Sequence, residues 1–252
     1  MFDSYLKESI LGRAIKLKKI SVSFINPRKF ATGKYKKIWP DGNMSLRIDD
    51  RPYAGGPGMV MMAEPIINAV ESVRASILKR FLKSSDLLAN TRKIKKGEAR
   101  LQKSFQNLRP KTLVINFVPS AEKFTTALAK NFSKKYTDII MICGRYEGID
   151  ARVDKILKDS LRLGGARRIS IGDYVLTGGE IPAMVLIDSI SRQVKGVLGN
   201  FDSREEERIS SSEIYTKPEI LIYNNKKYKV PKVLLSGDRK KIEEWKNNKN
   251  QP

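Results

Sequence analysis

The sequence predicts an α/β protein built on parallel strands, and three observations carry that expectation. Two short apolar runs, TLVINFV at 112–118 and DIIMIC at 138–143, read as strands buried on both faces. The segment between them, from about Lys123 to Tyr136, is helix-compatible and long enough to cross over, so the two strands become parallel neighbours. Glycine-bearing loops then punctuate the chain at the predicted strand ends, where α/β proteins bind ligands.

Taken in order, Asp3 or Ser4 can cap a first helix whose apolar face is Tyr5, Leu6, Ile10, Leu11, Ala14 and Ile15. Residues 26–51 are polar and lack periodicity. They lead into PYAGGPGMVMMAEP, where Gly55, Gly56, Pro57 and Gly58 break both helix and strand and make a shaped loop. Residues 74–111 form a basic, mostly helical stretch, with twelve Lys and Arg against two acids; it reads equally as a solvated insertion and as a binding arm. Beyond the two buried strands, Ile169–Leu176 is expected to add a third. Gly178 and Gly179 turn the chain into a helix over GEIPAMVLIDSISRQV. Residues 199–212, GNFDSREEERISSS, are charged and nearly free of large apolar side chains, which marks a linker. The organisation is therefore a body over 1–198, the linker 199–212, and a small, mainly helical C-terminal domain over 213–252 with ten Lys and Arg against five acids.

Composition narrows the function. The 252 residues carry 49 Lys plus Arg against 27 Asp plus Glu, a net charge of +22, whose natural partner is a polyanion, although a Lys-rich proteome also yields basic enzymes. There is no histidine and one cysteine, Cys143, so an imidazole base, a Ser/His/Asp triad, structural zinc and an internal disulfide are excluded. Acid-base work falls to carboxylates, Lys, Tyr or the substrate. No apolar run approaches the roughly 18–20 residues of a membrane span, and MFDSYLKESILGRAI has no signal-peptide core, so the expected location is the cytoplasm.

Three loops hold the candidate chemistry: YAGGPGMVM, CGRYEGID after a strand, and GDYVLTGGEIP before a helix. Neither the phosphate loop GxxxxGK[ST] nor GxGxxG occurs, which leaves a nucleoside triphosphatase or a Rossmann dehydrogenase without support. Gly144 and Gly148 bracket Arg145, Tyr146 and Glu147, so backbone amides, an aromatic face, a cation and a carboxylate fall within five residues. That density suits an adenosine-like ligand, while each glycine taken singly reads first as a tight turn.

Six blocks make the pattern specific: DDRPYAGGPGMVMM (49–62), CGRYEGIDARV (143–153), ISIGDYVLTGGEIPAMVLIDSISR (169–192), GVLG (196–199), YTKPE (215–219) and VLLSGDRKKIEEW (233–245). In this order they resemble the bacterial tRNA (guanine-N(1))-methyltransferase family across most of the chain. The resemblance implies a SPOUT-class methyltransferase domain, an α/β parallel sheet with a C-terminal trefoil knot over about 112–195 that holds S-adenosylmethionine. It further implies methylation of the guanosine just 3′ of the tRNA anticodon, grip on the anticodon arm with the small C-terminal domain over 213–252 binding tRNA, and a homodimer with the active site between subunits. Position by position, the implied donor pocket is walled by Pro119, by Gly144, Tyr146 and Glu147, and by Ile171, Tyr174, Leu176, Gly178 and Gly179. The family's catalytic arginine matches Arg192. Its general base, an aspartate eight positions after GVLG, falls on Glu207, with Glu206 as the competing register. No protein metal site is expected, and a Mg2+ requirement is left open.

The chain departs from the family pattern in places. It lacks the usual hydrophobic opening strand, so a truncated start is expected. Val118-Pro119-Ser120-Ala121 replaces the usual Ser-Pro-x-Gly, and Ser45 and Arg239 stand at usual histidine positions. Two rivals follow: a non-catalytic RNA-binding relative of the same fold, suggested by Glu at the base position, and a ribose methyltransferase of the same superfamily.

Overall fold

The computed structural model describes residues 2–31, 36–38, 40, 44–53, 55–84, 110–160, 165–199 and 213–249. The chain divides into two compact units, Met1–Val197 and Leu198–Pro252.

The first unit opens with two short helices, α1 (Phe2–Lys7) and α2 (Ser9–Lys16), where the periodicity predicts one. The break lies at Ser9, whose φ of 53° reverses the chain, and Gly12 then passes so close to the Lys7 carbonyl that a Cβ there would collide with it. A single 3-10 turn, Pro27–Phe30, is capped by Asn26, whose side chain accepts from the Arg28 amide at 3.0 Å. Two small antiparallel pairs follow, β1 (Lys36–Ile38) with β2 (Met44–Leu46) and β3 (Asp49–Asp50) with β4 (Val60–Met61). Helix α3 (Ala63–Ser84) turns Ile66, Val70 and Ile77 inward. It carries the first residues of the basic stretch, and 85–109 lie outside the described residues.

The sheet of this unit consists of β5 (Thr112–Lys123), β6 (Asp138–Ile142) and β7 (Ala166–Ser170), in the order β6-β5-β7 and parallel throughout. Helix α4 (Thr126–Lys135) connects β5 to β6, α5 (Arg152–Ser160) connects β6 to β7, and α6 (Glu180–Ser191) follows β7. Central β5 shows why the run TLVIN is apolar on both faces. Val114 joins Ile66, Val70, Ile142, Val153 and Leu157 under α3 and α5, while Leu113 and Ile115 join Ala129, Phe132, Ile169, Leu186 and Ile190 under α4 and α6. This is a three-layer α/β body.

Two strand boundaries differ from expectation. Strand β5 continues past Val118 to Lys123, but Phe117 and Glu122 both face Ile169, so 118–121 bulge out of the ladder with Pro119 in their midst. Strand β7 begins at Ala166 and stops at Ser170, instead of running from Ile169 to Leu176. Its end is set by the Ser170 hydroxyl, which donates to the Gly172 carbonyl at 2.8 Å and accepts from the Gly172 amide at 3.1 Å, folding the chain back.

In the second unit, β8 (Ile220–Tyr223) and β9 (Lys226–Lys229) form a hairpin, followed by α7 (Lys232–Leu235) and α8 (Arg239–Lys249). The two helices outweigh the hairpin, which the expectation of a mainly helical domain did not include. Tyr215 packs its ring 6.3 Å from that of Trp245, and Asp238 accepts from the amides of Lys240 and Lys241 at the start of α8. Among the described residues, no helix is long and apolar enough to cross a membrane.

Candidate functional site

The carboxyl ends of three parallel strands face one edge of the sheet, and the loops leaving them are stitched together by backbone. The loop after β7 meets the loop after β6: the Gly179 amide donates to the Gly144 carbonyl at 2.8 Å, and Arg145 and Gly178 form an antiparallel bridge. No side chain fits between them at Gly179, because a Cβ there would lie 2.7 Å from the Cys143 Cα and 3.0 Å from the Gly144 nitrogen. The loop before β4 joins from the other side. Glu147 donates its amide to the Met59 carbonyl at 3.0 Å, Met61 to Gly148 at 2.9 Å, and Asp150 to Met61 at 3.0 Å. Gly58, at φ +94°, is pressed against the Glu147 side chain, which would sit 2.6 Å from any Cβ. The three glycine-bearing segments thus form one assembly.

Side chains complete it. Arg145 grips Glu180, the first residue of α6, through Nε at 2.9 Å and a second nitrogen at 2.7 Å, so the β6 loop is clamped to the helix. Tyr146 sits in the left-handed region at φ 60°, a strained conformation for a residue with a side chain, and leaves its ring exposed. Tyr174 is also exposed, its hydroxyl donating to the Ile171 carbonyl at 3.2 Å, beside the exposed Val175. Burial, together with the Glu180 carboxylate, pushes the Cys143 thiol up to about 11, only partly opposed by Arg145. At pH 7 this cysteine is a neutral packing group and no nucleophile.

Of the expected donor-binding residues, Gly144 meets Gly179 directly, Tyr146 and Glu147 follow on the same loop with Glu147 held to Met59, Ile171, Tyr174 and Leu176 lie on the loop that carries Gly178 and Gly179, and Pro119 lies in the bulge whose flank, Phe124, donates its amide to Ser170 at 2.7 Å. The set suits a small ligand with an aromatic part: exposed rings stand beside backbone groups at glycines, and beyond Gly148 nothing lies within 4 Å of where a Cβ would be.

Arg192 ends α6 and is half-buried, its amide donating to the Asp188 carbonyl at 3.0 Å. It lines a cleft of about 540 Å³ together with Tyr5, Glu8, Met184 and Asp188. The Tyr5 hydroxyl donates to Asp188, and that bond, with the negative charge beside it, pushes the phenol up to about 12. Sequence reasoning missed Tyr5 and Asp188 as neighbours of Arg192. The spacing of Asp188 and Arg192, four apart on a helix, was the one available signal. Glu207 and Glu206 lie outside the described residues. Among the described residues, no three acidic, cysteine or histidine side chains come together as a metal site.

Comparison with known proteins decides the lineage, because the family model described as tRNA (Guanine-1)-methyltransferase TrmD matches residues 1–252. The chain belongs to the tRNA (guanine-1)-methyltransferase family. Relatives named tRNA (guanine-N(1)-)-methyltransferase include that of Pseudoalteromonas atlantica, 34% identical over 98% of this chain and 75% of its own length. That of Clostridioides difficile is 37% identical over 97% of this chain and 85% of its own. That of Endomicrobium trichonymphae is 34% identical over 97% and 87%. The match to the tRNA (guanine-1)-methyltransferase family runs through all three stitched loops and both units of the chain.

Proposed function

We propose that the protein transfers a methyl group from S-adenosylmethionine to N(1) of the guanosine immediately 3′ of the anticodon in tRNA. The observation that carries this is the match to the methyltransferase family over the entire chain, at the positions where three glycine loops converge on one sheet edge. The donor, when bound, supplies an electrophilic methyl group. The protein's residues hold and orient it: backbone at Gly144, Gly178 and Gly179, with the rings of Tyr146 and Tyr174 at the rim. The close passage of 178–179 over 143–145 is where the family's knot would lie.

Guanine N(1) carries a proton at pH 7 and is a poor nucleophile until a base removes it. Glu207 is proposed as that base, one methylene longer than the family's aspartate, with Glu206 as the alternative register. Proton loss builds negative charge on O6, which the Arg192 guanidinium would offset. We further propose a cytoplasmic homodimer with its active site between subunits. No magnesium site is assigned. Near-full-length similarity to relatives named as the enzyme weighs against the non-catalytic reading, which rests on Glu at the base position, and against the ribose-methylating one. The test is methyl transfer from labelled donor to two tRNA transcripts differing only at that nucleotide. Labelling of the guanosine transcript alone supports the reading, and labelling of both overturns it.

A further inference from the structure

The hairpin of the second unit is exposed on both faces, which is unusual for residues of its composition. Leu221 is 55% exposed, Ile222 64%, Tyr223 64% and Tyr228 54%, and every other residue of the two strands is exposed too. A free two-stranded ribbon is marginal in water, and a patch of apolar and aromatic side chains on one marks contact with something else.

Its geometry is fixed by a two-residue turn, in which Asn224 and Asn225 both take the left-handed region, at φ 47° and 59°. That is the turn whose twist matches a hairpin, and asparagine tolerates it. The register pairs Leu221 with Tyr228 and Tyr223 with Lys226. These four therefore share one face, with Tyr223 and Tyr228 diagonal to each other, about 7–8 Å apart. The opposite face pairs Ile220 with Lys229 and Ile222 with Lys227. Between 220 and 229 there is no acidic residue. Two rings held by a stiff ribbon, with three lysines and no carboxylate, are complementary to a strand that offers flat bases and phosphates. The lysines and the lack of any carboxylate favour such a strand over a neutral apolar protein surface, which would meet only Ile220, Leu221 and Ile222.

We infer that the β8–β9 hairpin is a single-stranded RNA platform, with Tyr223 and Tyr228 stacking on unpaired bases of the tRNA and Lys226, on the same face, on a flanking phosphate. This rests on the proposed tRNA substrate and adds the element and the mode of its recognition.

The test uses the full-length protein and an unmodified tRNA transcript. Replacing both Tyr223 and Tyr228 by threonine keeps strand propensity and removes the rings; it should weaken tRNA binding by about 10- to 100-fold. Replacing both by phenylalanine should leave binding near parental. Changing Lys226 to glutamine should lower the slope of log affinity against log salt by about 1. Affinity for S-adenosylmethionine and the unfolding midpoint should hold in all three variants, showing that the fold is intact. A threonine variant that binds tRNA as the parent does overturns the inference, as does one that loses self-association instead of RNA affinity. If the parent methylates tRNA and the threonine variant binds it unchanged, only the hairpin assignment falls. If the parent methylates nothing, the substrate reading falls.

Discussion

At Gly179 the chain has no room for a side chain, since a Cβ would lie 2.7 Å from the backbone of Cys143. Gly179→Leu should therefore force the loops after β6 and β7 apart and abolish donor binding in calorimetry, and unchanged affinity would remove this pocket from consideration. The proposed base makes an independent expectation: if Glu207 removes the guanine proton, Glu207→Gln should lower turnover by about 10² to 10⁴ with donor binding intact, while Glu207→Asp retains or raises it. Arg192→Ala should cost roughly 10² if it offsets charge on O6. Parental rates in both Glu207→Gln and Glu206→Gln would rule out the linker carboxylate. Titration offers a further check. Tyr5 is raised from 10.0 to about 12 and Cys143 from 9.0 to about 11. Raised values favour the folded state below the unfolded values and lose that contribution as pH climbs through the folded ones. The urea midpoint should accordingly fall between pH 9 and 12, and in Tyr5→Phe less of that fall should remain. The close approach of the glycine loops was legible, because a Cβ at Gly58 or Gly179 would collide with its neighbours. The Tyr5–Asp188 contact was not legible, because 183 positions separate its partners and only the packing of α1 on α6 joins them.

The elements divide in the same way. Strands β5 and β6 could be read directly, because helices on both faces leave their runs Leu113–Ile115 and Ile139–Ile142 apolar without alternation. Strand β7 was displaced because Arg167 and Arg168 conceal its beginning, and because the alternation in ISIGDYVL continues past the point where the Ser170 hydroxyl turns the chain. The β8–β9 hairpin was hidden by its lysines, which do not alternate with apolar residues on a core face because it has none. Helix α4 offers a direct check on local design. Thr125 caps it by accepting from the Leu128 amide at 3.3 Å. Thr125→Ala should lower the unfolding free energy by about 1 kcal/mol. Phe132→Ala, under the same helix, should cost about 3–5 kcal/mol because its side chain is fully buried between α4 and the sheet.

For the whole molecule, a charge of +22 makes tRNA affinity a matter of counterion release, so binding should drop steeply between roughly 50 and 200 mM salt. Deleting 213–252 should weaken it further, and a flat salt response or an intact affinity after deletion would separate charge from RNA binding. The α/β class followed from the order of strand, helix and strand, whereas a knot cannot be read from periodicity, which carries no information about threading. The most direct measurement is mass analysis of nucleosides from a tRNA transcript incubated with the purified protein and S-adenosylmethionine. The account predicts 1-methylguanosine, in a digest fragment carrying the guanosine 3′ of the anticodon. Methylation on a ribose hydroxyl, or a protein that binds both donor and tRNA yet leaves every guanosine unmethylated, would contradict it.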